Sequence, residues 1–170
     1  MYKVGRFGVY SVIFSALLLQ VTVLNHVKIF GAKPDILLIS AVFFGLYLGT
    51  AAGFETGLAA GILADIFALD YFGVNAAVFA MTGLVAGALS SKFFKEVKAT
   101  QFLLVFSFSV FSMSLHFAYV SAFSKYLILT FPEYLFSSVL PASLYTAVVS
   151  VPLFSKFIGI YNLKESEEFL

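Results

Sequence analysis

Glu55 and Asp65 both lie in the stretch AAGFETGLAAGILADIFAL, and carboxylates inside an apolar run are the first residues to question for chemistry. A carboxylate pair can act as acid and base, share a proton or hold a cation, but only when both groups sit at one depth. If this stretch is a helix, their spacing separates them by about 15 Å along its axis. They therefore cannot flank one bond. The spacing favours two separate polar contacts, one toward each end of the helix, with Asp65 accepting hydrogen bonds from Asn75 or Lys33.

His116 follows Ser112 by about one helical turn and Ser109 by about two. In an apolar solvent such a stripe can hydrogen-bond across helices, which makes it packing glue before it makes it a site. His26 has no identifiable companion. Two histidines, no cysteine and separated carboxylates offer no ligand set for a metal. HExxH, GxSxG and a phosphate-cradling glycine loop are missing as well. The chain is expected to be no enzyme and to carry no cofactor.

The helix holding Glu55 and Asp65 has a second feature. Gly53, Gly57 and Gly61 recur every four residues, with Ala60 and Ala64 beside them. This spacing lines small residues along one stripe and lets another helix approach closely. The stripe is read as a packing face within this chain, or else as a docking face for the helix of a partner.

These residues need helices to position them, and the composition says what surrounds those helices. Apolar types make up 61% of the 170 residues and charged types 11%, where a soluble domain carries about 25% charged residues. Most of the surface therefore faces hydrocarbon, and a span needs roughly 20 apolar residues. The reading is an all-α membrane protein of about six transmembrane helices in a single integral domain, residues 1–170. The net charge of +1 is uninformative about nucleic acid, but no Lys/Arg cluster suggests a phosphate-reading face, and no nucleic-acid partner is expected.

Span 1 is placed at about Phe7–Leu24 and is retained rather than cleaved, since no small-x-small site follows it. A polar connection, Asn25–Lys33, leads to Pro34 and Asp35, which open span 2 in the manner of a helix N-terminus. Span 2 runs to about Leu48, and Gly49-Thr50 turns tightly into span 3, about Ala51–Leu69. After a turn at Asp70–Gly73, span 4 continues to about Ser91. Span 5 starts near Gln101 and stays apolar past Phe123, and span 6 covers about Tyr134–Phe157. Ser121–Glu133 either extends span 5 or lies along the interface as a short amphipathic piece, and the interfacial reading is preferred. Pro141 and Pro152 fall in span 6, where a kink near Pro141 could shape a cavity.

Cations concentrate in cytoplasmic loops. With both termini inside, the inner side holds Lys3, Arg6, Lys92, Lys95, Lys98, Lys156 and Lys164, and the outer side holds Lys28, Lys33 and Lys125. The asymmetry supports cytoplasmic termini in a bacterial inner membrane. Most tyrosines fall near span ends, but Tyr10 and Tyr145 sit deeper, with no evident reason.

The middle of the chain has a recognisable pattern. Lys33-Pro34-Asp35 precedes ILLISAVFFGLYLG, and then comes AAGFETGLAAGILADIFALDYFGVNAAVFAMTGLVAG. A Pro-Asp opening an apolar helix, a Gly-Phe-x-x-Gly helix ending in an acid, and a Gly-x-Asn resemble the MreD family of rod shape-determining proteins. The matching residues are Pro34, Asp35, Gly53, Phe54, Gly57, Gly61, Asp65, Gly73 and Asn75. The resemblance implies a non-enzymatic subunit of the bacterial elongation complex. Such a subunit binds the membrane helix of MreC and, through it, MreB, RodA and a class B penicillin-binding transpeptidase, helping to regulate peptidoglycan synthesis and rod shape. It also implies similarity in fold to the substrate-binding subunits of energy-coupling-factor transporters. The alternative function is such a vitamin-uptake subunit, for which Gly8, Ser11 and Ser15 in span 1 could meet a coupling subunit.

Overall fold

Ile36–Leu48 has no polar face, and a helix that is apolar all round must be enclosed by other helices. It is so enclosed: every residue from Ile36 to Tyr47 is buried. The computed structural model describes residues 5–22, 32–68, 72–92, 97–123 and 130–161. Its regular elements are helices: α1 (Arg6–Thr22), α2 (Ile36–Leu48), α3 (Thr50–Ala68), α4 (Val74–Leu89), α5 (Lys98–Phe123) and α6 (Phe131–Tyr161). Helices α3, α5 and α6 are long and apolar enough to cross a membrane, and α1, α2 and α4 are shorter apolar helices. The all-helical membrane fold is as read from the sequence.

The core sits around α2. Phe43 packs on Phe154 and Phe157 of α6, both with ring centroids 5.1 Å away, and stacks on Tyr47 at 4.7 Å. At one end of the bundle Tyr161 donates a hydrogen bond to the Gly8 carbonyl, 2.8 Å, and so ties α6 to α1. Gly49 alone connects α2 to α3. Its φ of +92° is open to glycine and strained for any other residue, which is why the turn can be this short.

The helices differ in reach. The Asp35 backbone N–H donates to Thr146 Oγ1, a pair separated by 111 residues, and the Phe43–Phe154 pair has the same separation (154 − 43 = 111). A constant offset means that α2 and α6 run parallel and in register. Thr146 is the midpoint of α6, equally far from Phe131 and Tyr161. The 13 residues of α2 rise about 20 Å, and the 31 of α6 about 46 Å. Half of α6 therefore extends past the start of α2, alongside the second half of α5. In that upper region Phe117 stacks on Tyr134 at 4.8 Å and touches Phe131 at 5.5 Å.

Several readings are corrected or refined. Pro34 lies before the N-cap Asp35, outside the first turn of α2. Of the supposed interfacial piece, Ser121–Phe123 complete α5, Thr130 caps α6 through Glu133, and Phe131–Glu133 begin α6; residues 124–129 lie outside the described residues. Span 6 thus starts at Phe131 rather than Tyr134. Near Pro141 the helix takes a π turn, Leu135–Val139. Proline has no N–H for the carbonyl four residues earlier, and a widened turn accommodates that loss. Lys3, His26, Lys28, Asp70, Lys95, Lys125 and Lys164 also fall outside the described residues.

Candidate functional site

Between α3 and α4 the two backbones touch. A Cβ placed on Gly53 would stand 2.2 Å from the Gly83 carbonyl oxygen. One on Gly57 would stand 2.1 Å from the Phe79 carbonyl oxygen, and one on Gly61 would stand 2.4 Å from the Ala76 Cα. The reverse holds too: a Cβ on Gly83 would meet Gly53, and one on Gly87 would meet Thr50. Gly45 of α2 joins the same contact: a Cβ there would stand 2.6 Å from the Gly83 carbonyl oxygen. The glycine stripe thus faces α4 and α2 of its own chain. Phe54, its neighbour in the motif, points the other way and is exposed.

Asp65 finishes what the stripe begins. Its carboxylate is buried and accepts three backbone N–H bonds, from Gly73 (2.9 Å), Asn75 (3.0 Å) and Ala76 (2.9 Å). Those donors belong to the first turn of α4, which has no intrahelical partners for them. A side chain from α3 therefore caps α4, and Gly73, at φ +99°, supplies the left-handed turn that aims the N–H groups at it. Asn75 takes part through its backbone, and Lys33 instead lines a cavity beside Asp35.

Asp35 does for α2 what Asp65 does for α4. Its Oδ1 accepts from Leu38 N–H at 3.0 Å, while Gln20 of α1 accepts from Leu37 N–H at 3.1 Å. Gln20 also hydrogen-bonds to the Asp35 carboxylate. Above this pair the bundle opens into two cavities. One of about 370 Å³ runs to α5 and α6, lined by Ser109, Ser112, Ser137, Ser138 and Thr146 among others. The second, about 270 Å³, runs toward Asn75 and Phe67 at the ends of α3 and α4. Gln20, Lys33 and Asp35 line both cavities, so they form the floor of one divided crevice.

Glu55 sits at the opposite end of α3. It accepts a hydrogen bond from the Tyr10 hydroxyl and lies 3.6 Å from Arg6, both on α1. This gives the deep Tyr10 its reason. The two acids of α3 serve different neighbours and never meet.

Ser109 and Ser112 are buried in the cavity wall, and the half-buried His116 lies beyond it. Among the described residues no three histidines or acids gather as metal ligands. Sequence reasoning missed Gln20 and Thr146. An amide inside the apolar run ALLLQVTVL was the available signal, because a polar side chain at that depth needs a partner. Thr146 gave none, since a threonine in a membrane helix commonly bonds its own backbone, as Thr146 also does to the Ala142 carbonyl.

No curated protein and no solved structure matches the chain, and no finding supports the vitamin-transporter alternative. A family model described as rod shape-determining protein MreD matches residues 1–164. That match takes in α1 to α6, the glycine contact, both capping acids and the crevice floor. The chain belongs to the MreD family of rod shape-determining membrane proteins.

Proposed function

We propose that this protein is a non-enzymatic subunit of the bacterial elongation complex that binds the membrane helix of MreC and helps regulate peptidoglycan synthesis. The family match over residues 1–164 carries the reading. MreB, RodA and a class B penicillin-binding transpeptidase are reached indirectly, through MreC. The six helices serve as inner-membrane spans, with the Arg6 end of the bundle in the cytoplasm; Lys92, Lys98 and Lys156 favour that end by the same charge rule.

The chemistry of the acids agrees with a scaffold. Asp35 and Asp65 are committed to helix N-termini, and Glu55 to Tyr10 and Arg6. Pro34, Asp35, Gly53, Phe54, Gly57, Gly61, Asp65, Gly73 and Asn75 serve the integrity of the bundle. Because the glycine stripe is filled by α4, the MreC helix docks on a lipid-facing surface elsewhere. In hydrocarbon that contact rests on close packing and not on apolar burial.

Affinity recovery of the tagged protein in mild detergent, with mass spectrometry of everything retained, tests the reading. MreC and wall-synthesis proteins are expected. Recovery of a transporter ATPase pair without MreC would overturn it.

A further inference from the structure

The two flanks of the bundle differ in height, and the charges that face outward measure the difference. On α6 the exposed Lys156 and Glu133 bracket residues 134–155, a stretch without charge that rises about 33 Å. That matches an undisturbed hydrocarbon core of about 30 Å. On α3 the Glu55 carboxylate reaches the surface beside Arg6 of α1. From there residues 56–68 rise only about 20 Å to the end of the helix. Asp65 within this stretch is buried and does not face lipid. Helix α4, closed by Gly73 at one end and Ser90 at the other, rises about 24 Å. Leu58, Ile62 and Ile66 of α3 and Met81, Leu84 and Val85 of α4 are exposed, so this flank meets lipid chains.

Both flanks start from one level. The offset of 111 residues between α2 and α6 sets Lys156 beside Gly45 (156 − 111 = 45). Gly45 packs against Gly53, less than one turn from Glu55. The shortfall of the α3–α4 flank therefore falls at the opposite end. A second charge marks that end. Lys33 is exposed and lies two residues before Asp35, whose backbone bonds to Thr146. Thr146 is about 15 Å along α6 from Lys156, and two residues add at most about 7 Å. An exposed ammonium within about 22 Å of the first boundary needs headgroups or water, because a charge in hydrocarbon is costly. Tilting is no remedy for the short flank, since it reduces the reach of a helix still further. A short flank is accommodated by drawing the bilayer in.

We infer that the α3–α4 flank thins the bilayer beside it by about 10 Å. The deformation lies in the outer leaflet, and α5 and α6 keep the far side at full thickness. The partner of this flank is the acyl-chain layer itself. Only the name of the leaflet rests on the proposed orientation, and the difference in height does not depend on MreC.

The chain has no cysteine, so a single introduced thiol reports its own depth without background. Phe72→Cys lies at the outer end of the short flank and Leu144→Cys on the long one, at positions 73% and 52% exposed. The Gly73 N–H bonds Asp65, so Phe72 stands about 15 Å from the Glu55 level. Leu144 stands about 18 Å from Lys156, and an undisturbed bilayer shields both. Reaction with a membrane-impermeant maleimide is followed in nanodiscs of phosphatidylethanolamine and phosphatidylglycerol with oleoyl chains, each rate divided by that of the same variant in denaturant. Phe72→Cys is expected to react at least about tenfold faster than Leu144→Cys, because the reactive thiolate forms only where water reaches it. Ile66→Cys, exposed on α3 near the same level, gives the same comparison should Phe72→Cys melt early. Equal protection of both thiols means a bilayer of full thickness on both flanks and overturns the inference. Equally fast reaction overturns it too, since α6 then stands clear of hydrocarbon and no difference in thickness is left.

Discussion

Helices α3 and α4 meet through bare backbone, glycine against carbonyl, with no space for one added carbon. Helices α5 and α6 meet through long side chains, Phe117 against Tyr134 and Phe131, and leave a serine-lined cavity beside α2. Both pairs lie in the same apolar surroundings, where nothing drives helices together except packing and hydrogen bonds. The first pair takes all its stability from fit. The second accepts a looser fit and keeps a space. The difference separates a rigid half of the molecule, built around the glycines and the Asp65 cap, from a half able to hold something.

The comparison breaks most readily at Gly57. A leucine there has nowhere to go, because its Cβ already collides with the Phe79 carbonyl, and backbone cannot swing aside as a side chain can. Gly57→Leu is expected to abolish recovery of folded protein by size-exclusion chromatography. Gly57→Ala should cost about 3 kcal/mol, the upper end of overpacking penalties. If Gly57→Ala melts like wild type in mild detergent, α3 and α4 are not in backbone contact.

The next effect is at Asp65. Asp65→Ala leaves three N–H groups of the α4 terminus without their acceptor and should cost about 2 kcal/mol, the upper range for loss of a cap. Asp65→Asn keeps an acceptor oxygen and should lose less than half of that. Equal loss in both variants would mean that the negative charge, not the hydrogen bonds, holds the turn. Thermal melts of the two variants side by side separate these cases.

In the looser half a comparable truncation should matter less. Phe117→Ala removes two ring contacts, each worth about 1 kcal/mol. The lost area itself carries little weight where the alternative environment is lipid. A loss of about 1–2 kcal/mol, below that of Gly57→Ala, keeps the two halves distinct; a larger loss would place α5 and α6 among the rigid elements.

How much of this was legible depends on the range of each interaction. The stripe Gly53, Gly57, Gly61 is local, so its spacing alone announced a close contact. Its receiving surface carries the same mark, Gly83 and Gly87 four residues apart, but a single pair of glycines does not encode which helix it faces. Asp65 was legible as an acceptor near Asn75, since their separation is short. The involvement of Gly73 and Ala76 backbone depends on a turn geometry that residue types do not encode. Gln20 with Leu37 and Asp35 with Thr146 join distant parts of the chain, and no periodicity predicts them. The crevice floor was therefore half seen, as Pro34-Asp35, without its amide or its walls.

The smallest effect is expected at the far end of α3, and it sharpens the contrast between the two acids of one helix. Glu55 meets Tyr10 and Arg6 at a surface where its side chain is 42% exposed and that of Arg6 is 83% exposed. Exposed ion pairs contribute from zero to about 1 kcal/mol, because water and ions replace the lost partner. Arg6→Ala should therefore lower stability by no more than about 0.5 kcal/mol, and raising the salt concentration should remove even that difference. Asp65, of the same charge and on the same helix, has no solvent to replace its three N–H partners. A double comparison, Arg6→Ala against Asp65→Ala at low and high salt, should give one salt-sensitive small loss and one salt-insensitive large one. If both losses respond to salt alike, Asp65 is reached by ions, and the cap on α4 is not the dry contact that its burial describes.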